Sequence, residues 1–223
     1  MPVELSQAAP SQLAHSIAGV NVVEVETPHG LAKAHLHPVA KARAAMVLGH
    51  GAGGGVESRD LVTATEVGLD LGVSVALVEQ PYRVAGRRSP APAHQLDTAW
   101  TTVVEHLMAN ELKGLALIAG GRSLGARVAC RTAKALNATA VLCLAFPLQP
   151  PARRSGTRSP DRLPELDAVK VPVLVVQGTG DPFGMPPEGK RRTVAKVPGN
   201  HSLRTDLEGV ADAVRAWLPG VLG

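Results

Sequence analysis

The sequence predicts an α/β architecture: a mostly parallel, eight-stranded sheet with helices on both faces. Three observations carry that expectation. Strand patterns alternate with helix patterns along the chain. The inner strands are continuous apolar runs, as strands buried on both faces must be. The 223 residues, 45 % of them hydrophobic, suffice for one substantial core but are few for two. The expected organisation is an N-terminal extension over residues 1–18, partly flexible, and a single domain over 19–223.

Residues 20–26 and 31–37 read as two strands around the turn Thr27-Pro28-His29-Gly30, a hairpin pattern. Residues 44–48 form an apolar run that stops at Gly49, the mark of a buried strand. A glycine-rich loop follows at 51–55, then a helical pattern over 60–71 and a strand over 73–78. Leu96, Trp100, Val103, Val104 and Leu107 fall at helical spacing within 93–112. A strand at 114–119 leads into a helix at 124–136, and a further strand spans 138–145. A loop rich in Pro and Arg occupies 147–162, with a short helix expected at 163–169. Strands at 171–176 and 193–197 precede a last helix over 203–218, with Leu207, Val210, Val214 and Trp217 on one face.

Composition excludes several classes. The formal charge is +4, and the basic residues are scattered apart from Arg87-Arg88, Arg153-Arg154 and Lys190-Arg191-Arg192. No basic stripe interleaved with aromatics suggests nucleic-acid binding, although an anionic substrate group or acidic partner stays open. Cys130 and Cys143 match no zinc or redox spacing and read as buried free thiols in a reducing compartment. Residues 1–19 lack the basic start and apolar run of a signal peptide, and no segment has the length of a membrane span. The expected location is the cytoplasm, with no cofactor and no metal. The oligomeric state is left open.

In parallel sheets, function gathers in loops beyond the carboxyl ends of the strands. The strand Leu115-Ala116-Leu117-Ile118-Ala119 runs into Gly120-Gly121-Arg122-Ser123-Leu124-Gly125, and a helix begins at once. This G-x-S-x-G in strand–turn–helix setting resembles the nucleophile elbow of the α/β-hydrolase fold. A sharp turn lifts the hydroxyl above the sheet, and glycines on either side let backbones cross. A serine before a helix is also a common cap, so the later residues decide. A serine hydroxyl needs a base, and the elbow's usual partners follow in the order Ser, Asp, His. Asp181 stands in the loop Gly178-Thr179-Gly180-Asp181-Pro182, and His201 in Pro198-Gly199-Asn200-His201, each beyond a predicted strand. Of the eight histidines, only His201 follows both Ser123 and Asp181 beyond the last strand. Glu79 is a second candidate acid; Asp161 and Glu165 fit less well.

The pattern therefore points to a serine hydrolase working through an acyl-enzyme. Ser123 is the nucleophile, His201 the base and Asp181 the group that orients it, and activity should fall in mildly acidic buffer as the base is protonated. The backbone N–H groups of Leu124 and Ala52 are the expected oxyanion donors. Gly49, Gly51 and Gly54 also satisfy a dinucleotide fingerprint, with Glu79 as the ribose-binding acid. Two strands precede that loop, however, and its helix starts late. Of five aromatics, Tyr82, Phe146 and Phe183 each follow a predicted strand and are expected to line the acyl or alcohol site. The alternative is that they plug the core, as Trp100 and Trp217 should. Arg83 or Arg122 would serve a polar or anionic substrate group. Only about 25 residues separate the strand ending at 145 from that starting at 171, too few for an inserted lid, so modest-sized ester or lactone substrates are expected.

Gly49-His50-Gly51-Ala52-Gly53-Gly54, Pro81-Tyr82-Arg83 with Gly86-Arg87-Arg88, Gly121-Arg122-Ser123-Leu124-Gly125-Ala126-Arg127, Phe146-Pro147-Leu148, the Asp181 loop through Gly184, and Gly199-Asn200-His201 form a combination. Together they resemble the short α/β-hydrolase-like proteins related to dienelactone hydrolases. That branch includes a testis-expressed animal protein and a domain of a chromatin acetyltransferase complex subunit. The resemblance runs from about residue 22 to the C-terminus. It implies an α/β-hydrolase fold with minimal or no lid and the same roles for Ser123, Asp181 and His201. It also implies a third role to weigh, that of an interaction or scaffold subunit.

Overall fold

The computed structural model describes residues 21–150 and 160–222; the expected N-terminal extension and most of the Pro- and Arg-rich loop lie outside them. The strands are β1 (Asn21–Thr27), β2 (Gly30–His37), β3 (Ala44–Gly49), β4 (Val73–Glu79), β5 (Leu117–Arg122), β6 (Ala140–Leu144), β7 (Val173–Gly178) and β8 (Arg192–Val197). The helices are α1 (Arg59–Asp70), α2 (Pro81–Val84), α3 (Ala93–Ala109), α4 (Leu124–Thr132), α5 (Leu163–Asp167) and α6 (Leu207–Trp217). All eight strands join one sheet in the order β1-β2-β4-β3-β5-β6-β7-β8. β2 runs antiparallel to β1 and β4, and every pair from β4 to β8 is parallel.

Side chains alternate across each strand and divide the core into two layers. Met46, Leu48, Leu142 and Val176 pack with Leu61 and Val67 of α1 and Val210 and Val214 of α6. Val47, Ala119, Val141 and Val175 face the opposite way, toward Trp100 and Val103 of α3 and Ala126 and Ala129 of α4. Half-buried ion pairs stitch the second layer. Arg131 reaches Asp97 of α3 through Nε at 2.8 Å, and Arg127 reaches Glu165 of α5 at 2.8 Å. Cys130 and Cys143 are free and buried, with their sulfurs 3.6 Å apart. That contact, together with burial, holds the Cys143 thiol well above its ordinary range.

Several boundaries differ from the sequence expectation: α3 and α4 end three and four residues early, at Ala109 and Thr132, β6 and β7 shift by one or two residues, and the ends of β5 and the start of α6 move for identifiable reasons. β5 starts at Leu117 rather than 114, because Gly114 turns with φ +81° and the Leu115 N–H bonds back to Leu112. β5 then continues through Gly120, Gly121 and Arg122, which an apolar-run criterion rejects because glycine is poor in strands. α6 begins at Leu207, where Asp206 caps it by accepting from the Gly209 N–H at 2.8 Å. α2 is a single turn led by Pro81, too short for periodicity to show. Between β6 and β7 the described residues hold only the five-residue α5, so none of the described residues there forms a lid domain over the sheet edge. No described helix is long and apolar enough to cross a membrane.

Leu142 is fully buried at the middle of β6. Leu142→Ala should lower unfolding free energy by about 2–5 kcal/mol, read as a fall in urea midpoint at unchanged slope.

Candidate active site

Three glycines shape the end of β5. Gly49 pairs with Gly121 across the β3–β5 ladder. A Cβ on Gly121 or on Gly125 would collide with the Gly49 backbone. The chain can therefore turn from β5 into α4 only if both positions lack side chains. Between them Ser123 sits at φ +51°, ψ −104°, a strained conformation for a residue with a Cβ. Two bonds hold it there: Ser123 N–H to the Leu144 carbonyl at 2.9 Å, and Gly125 N–H to the His50 carbonyl at 3.1 Å.

The hydroxyl so presented meets His201. Ser123 Oγ lies 2.9 Å from His201 Nε2, and His201 Nδ1 lies 2.8 Å from Asp181 Oδ2. A carboxylate only accepts, so Nδ1–H donates to Asp181 and Nε2 is left to accept the serine proton. The Asp181 carboxylate is almost entirely buried and fully bonded: Oδ1 accepts the Phe183 N–H, and Oδ2 accepts from Gln177 Nε2 as well as His201, all at 2.8 Å. The acid and base loops are packed together. Gly180 N–H donates to the Gly199 carbonyl at 2.8 Å, and a Cβ on Gly178 would stand 2.6 Å from the Asn200 carbonyl oxygen.

Leu124 opens α4, and its N–H has no hydrogen-bond acceptor among the described residues; the same holds for the Ala52 N–H. Both expected donors are thus uncommitted. The Ala52 peptide is fixed by Tyr82, whose hydroxyl donates to the Ala52 carbonyl at 3.0 Å. Burial pushes the Tyr82 phenol up to about 12, against the opposing charge of Arg83, so it remains a donor. His50 braces the same loop from within. Its Nδ1 is 2.8 Å from the Gly51 carbonyl, and its Nε2 accepts the Gln80 N–H at 3.1 Å. Burial holds His50 below its ordinary 6.5, which keeps the ring neutral and able to do both.

The expected substrate-contacting residues are not all at one site. Phe183 lies against the His201 ring, with centroids 4.4 Å apart. Phe146 is completely buried in the core, so it plugs the sheet rather than lining an open site. Tyr82 is likewise buried and supports the Ala52 loop. Arg122 is engaged: Nη2 donates to the His201 carbonyl at 2.9 Å, and Nε lies 2.8 Å from the buried Asp60 Oδ2, close but poorly angled for a hydrogen bond. Two of its three nitrogens are thus occupied by protein groups. Arg83 has no acid partner among the described residues, and its Nε is buried without an acceptor. Glu79 lies 3.7 Å from His35 and takes no part in the His201 contacts. The dinucleotide alternative loses its footing on the same geometry. Gly51 faces Arg122, α1 begins only at Arg59, and Glu79 points to the β2 side.

Gln177, His50 and Asp60 escaped the sequence reading. Gln177 had a visible signal, a lone amide closing the apolar strand Val-Leu-Val-Val. His50 and Asp60 had none, since the Gln80 N–H that His50 accepts and the Arg122 that Asp60 faces lie at the ends of other strands. Among the described residues no group of three or more His, Cys, Asp or Glu side chains is gathered as metal ligands would be.

The family model for the alpha/beta hydrolase domain matches residues 42–208. No curated protein matches the chain. Solved structures share the fold. A serine hydrolase without a lid from Xanthomonas campestris is 20 % identical, with 91 % of this chain and 96 % of that one covered and a TM-score of 0.69. Est1E from Butyrivibrio proteoclasticus is 17 % identical over 90 % and 98 %, with a TM-score of 0.73. Dienelactone hydrolase from Anabaena variabilis is 17 % identical over 92 % and 99 %, with a TM-score of 0.72.

Gly125→Ala should cost more than about 1 kcal/mol and abolish reactivity of Ser123, measured by thermal melting and by active-site labelling. His50 sets a pH dependence of stability. Its folded pKa lies below the unfolded value, so the unfolded chain binds more protons on acidification. Its contribution is complete above about pH 6.5 and is lost as pH falls below that value. Urea midpoints should therefore decline on acidification from neutrality, and less so in His50→Asn.

Proposed function

The chain belongs to the alpha/beta hydrolase domain family, and on that premise we propose that it is a serine hydrolase of small ester, lactone or related acyl substrates. The observation that carries this reading is the unbroken hydrogen-bond chain from Ser123 Oγ through His201 to the buried Asp181 carboxylate. As Ser123 Oγ bonds to the acyl carbon, its proton passes to His201 Nε2, and Asp181 stabilises the imidazolium. The carbonyl oxygen gains negative charge and is met by the N–H groups of Leu124 and Ala52. His201 returns the proton to the leaving alkoxide, the C–O bond breaks, and an acyl-enzyme remains. Water, deprotonated by His201, then releases the acid and restores Ser123.

Two features support a substrate class. Without a lid domain among the described residues, a long acyl chain has little to enclose it. Arg83 stands near enough to His50 and Tyr82 to act on both through its charge, and it has no acid partner among the described residues. A carboxylate or other anionic substituent on the substrate fits that cation. Phe183, against His201, offers an apolar wall. Within the family, the motifs favour the short branch related to dienelactone hydrolases. The free, buried thiols favour the cytoplasm.

A fluorophosphonate probe should label one residue, Ser123, and labelling should vanish in Ser123→Ala. Asp181→Asn should retain the fold and lose about 10⁴-fold in kcat, since the amide stabilises the wrong imidazole tautomer. Absence of labelling with an intact fold would refute the serine hydrolase. Arg83→Ala should raise KM for an anionic ester and leave that for a neutral ester nearly unchanged.

A further inference from the structure

We propose that Arg122 is a positioning residue that fastens the His201 loop to the nucleophile elbow, with Asp60 as its buried counter-charge. The inference rests on the hydrolase reading for its catalytic consequence, but its structural core stands on contacts alone.

Arg122 is the residue before Ser123 and the last of β5, paired with Leu144 of β6. Its backbone is therefore as fixed as the sheet. From that anchor the guanidinium reaches three other parts of the site. Nη2 donates to the His201 carbonyl at 2.9 Å, across 79 positions of sequence. Nε sits 2.8 Å from Asp60 Oδ2 at the start of α1, an acid only 1 % exposed. Nη1 lies 2.7 Å from where a Cβ on Gly51 would stand, so a side chain at position 51 would press on the guanidinium.

The base loop needs such a fastening. Asn200 Oδ1 bonds within the loop, to Ser202, and Leu203 N–H to the Asn200 carbonyl. The Gly180–Gly199 bond ties it to the acid's loop. Among the described residues, the Arg122 bond is the one link from the elbow to the His201 backbone; the other contact between them is the Ser123–His201 hydrogen bond, which must break and re-form in each turnover. A planar guanidinium can donate to a carbonyl through one nitrogen while another stands against a carboxylate as its counter-charge. Asp60 neutralises it, so that no uncompensated cation stands behind an imidazole that must accept a proton. Misplacement of a base by about 1 Å costs on the order of 100-fold, so the fastening should appear in kcat.

The test uses the full chain with p-nitrophenyl acetate as the probe substrate. Arg122→Lys keeps a cation for Asp60 but cannot hold both partners. Its kcat should fall by about tenfold to 100-fold with KM changed by less than about twofold. Hydrogen exchange of residues 199–205 should accelerate, while that of β7 and α4 stays as in the parent. Arg122→Met/Asp60→Asn removes both charges and should show the same pattern if the lysine variant folds poorly. A raised KM at constant kcat would overturn the proposal in favour of substrate contact. Unchanged exchange over 199–205, or unchanged kcat, would overturn it outright. A parent protein that neither hydrolyses the ester nor takes the fluorophosphonate label would refute the hydrolase reading instead; the exchange experiment would still decide whether Arg122 holds the loop.

Discussion

The site depends on one close approach. The backbone of Gly49, at the end of β3, lies against Gly121 and Gly125 on either side of Ser123. With any side chain there, β3 and β5 could not stay paired to their ends while α4 starts at once. That contact allows the Ser123 strain at φ +51° to persist, because neighbouring hydrogen bonds over-determine the turn. The free Leu124 N–H follows from it as well, since the helix begins immediately after the strained residue.

Around that turn the protein buries polar groups that are mostly held by hydrogen bonds, with Gln177 Oε1, Gln80 Oε1, Arg83 Nε and Asp60 Oδ2 left without one among the described residues. Asp181 is satisfied by His201, Gln177 and the Phe183 N–H. Gln177 itself spans from Asp181 to the carbonyls of Phe146 and Gly184. His50 joins the Gly51 carbonyl to the Gln80 N–H, and Asp60 faces Arg122. The Asp181–His201, Gln177–Phe146, His50–Gln80 and Asp60–Arg122 contacts link the ends of different strands, and the others brace a single loop. Removing one member leaves a buried group unpaired, which costs more than the bond itself contributes. Reactive groups can thus be held in fixed directions on loops.

The substitution of roles among the arginines and aromatics follows the same logic. Arg122 and Arg83 looked equivalent as cations near a strand end. One is locked to an acid and a carbonyl, while the other has no acid among the described residues. Phe146 and Phe183 likewise both follow strands, yet one fills the core and the other lies on the His201 imidazole. Availability to a substrate depends on which neighbours reach a side chain first, and those neighbours come from distant positions.

From the sequence alone came the α/β class, the eight strands and the two-layer burial, because alternating periods and apolar runs are local signals. The elbow at Ser123 was legible for the same reason: glycine spacing and a strand-to-helix change lie within a few residues. Asp181 and His201 could be named from chain order, but their distances to one another could not. The start of α6, the glycine end of β5 and the single turn at Pro81 were misread or missed, since each departs from a repeating pattern. The support network of Gln177, His50, Arg122 and Asp60 was decided only by tertiary structure. Hydrogen-bond partners there are separated by up to 79 positions, and no local preference records which strand ends the fold brings side by side.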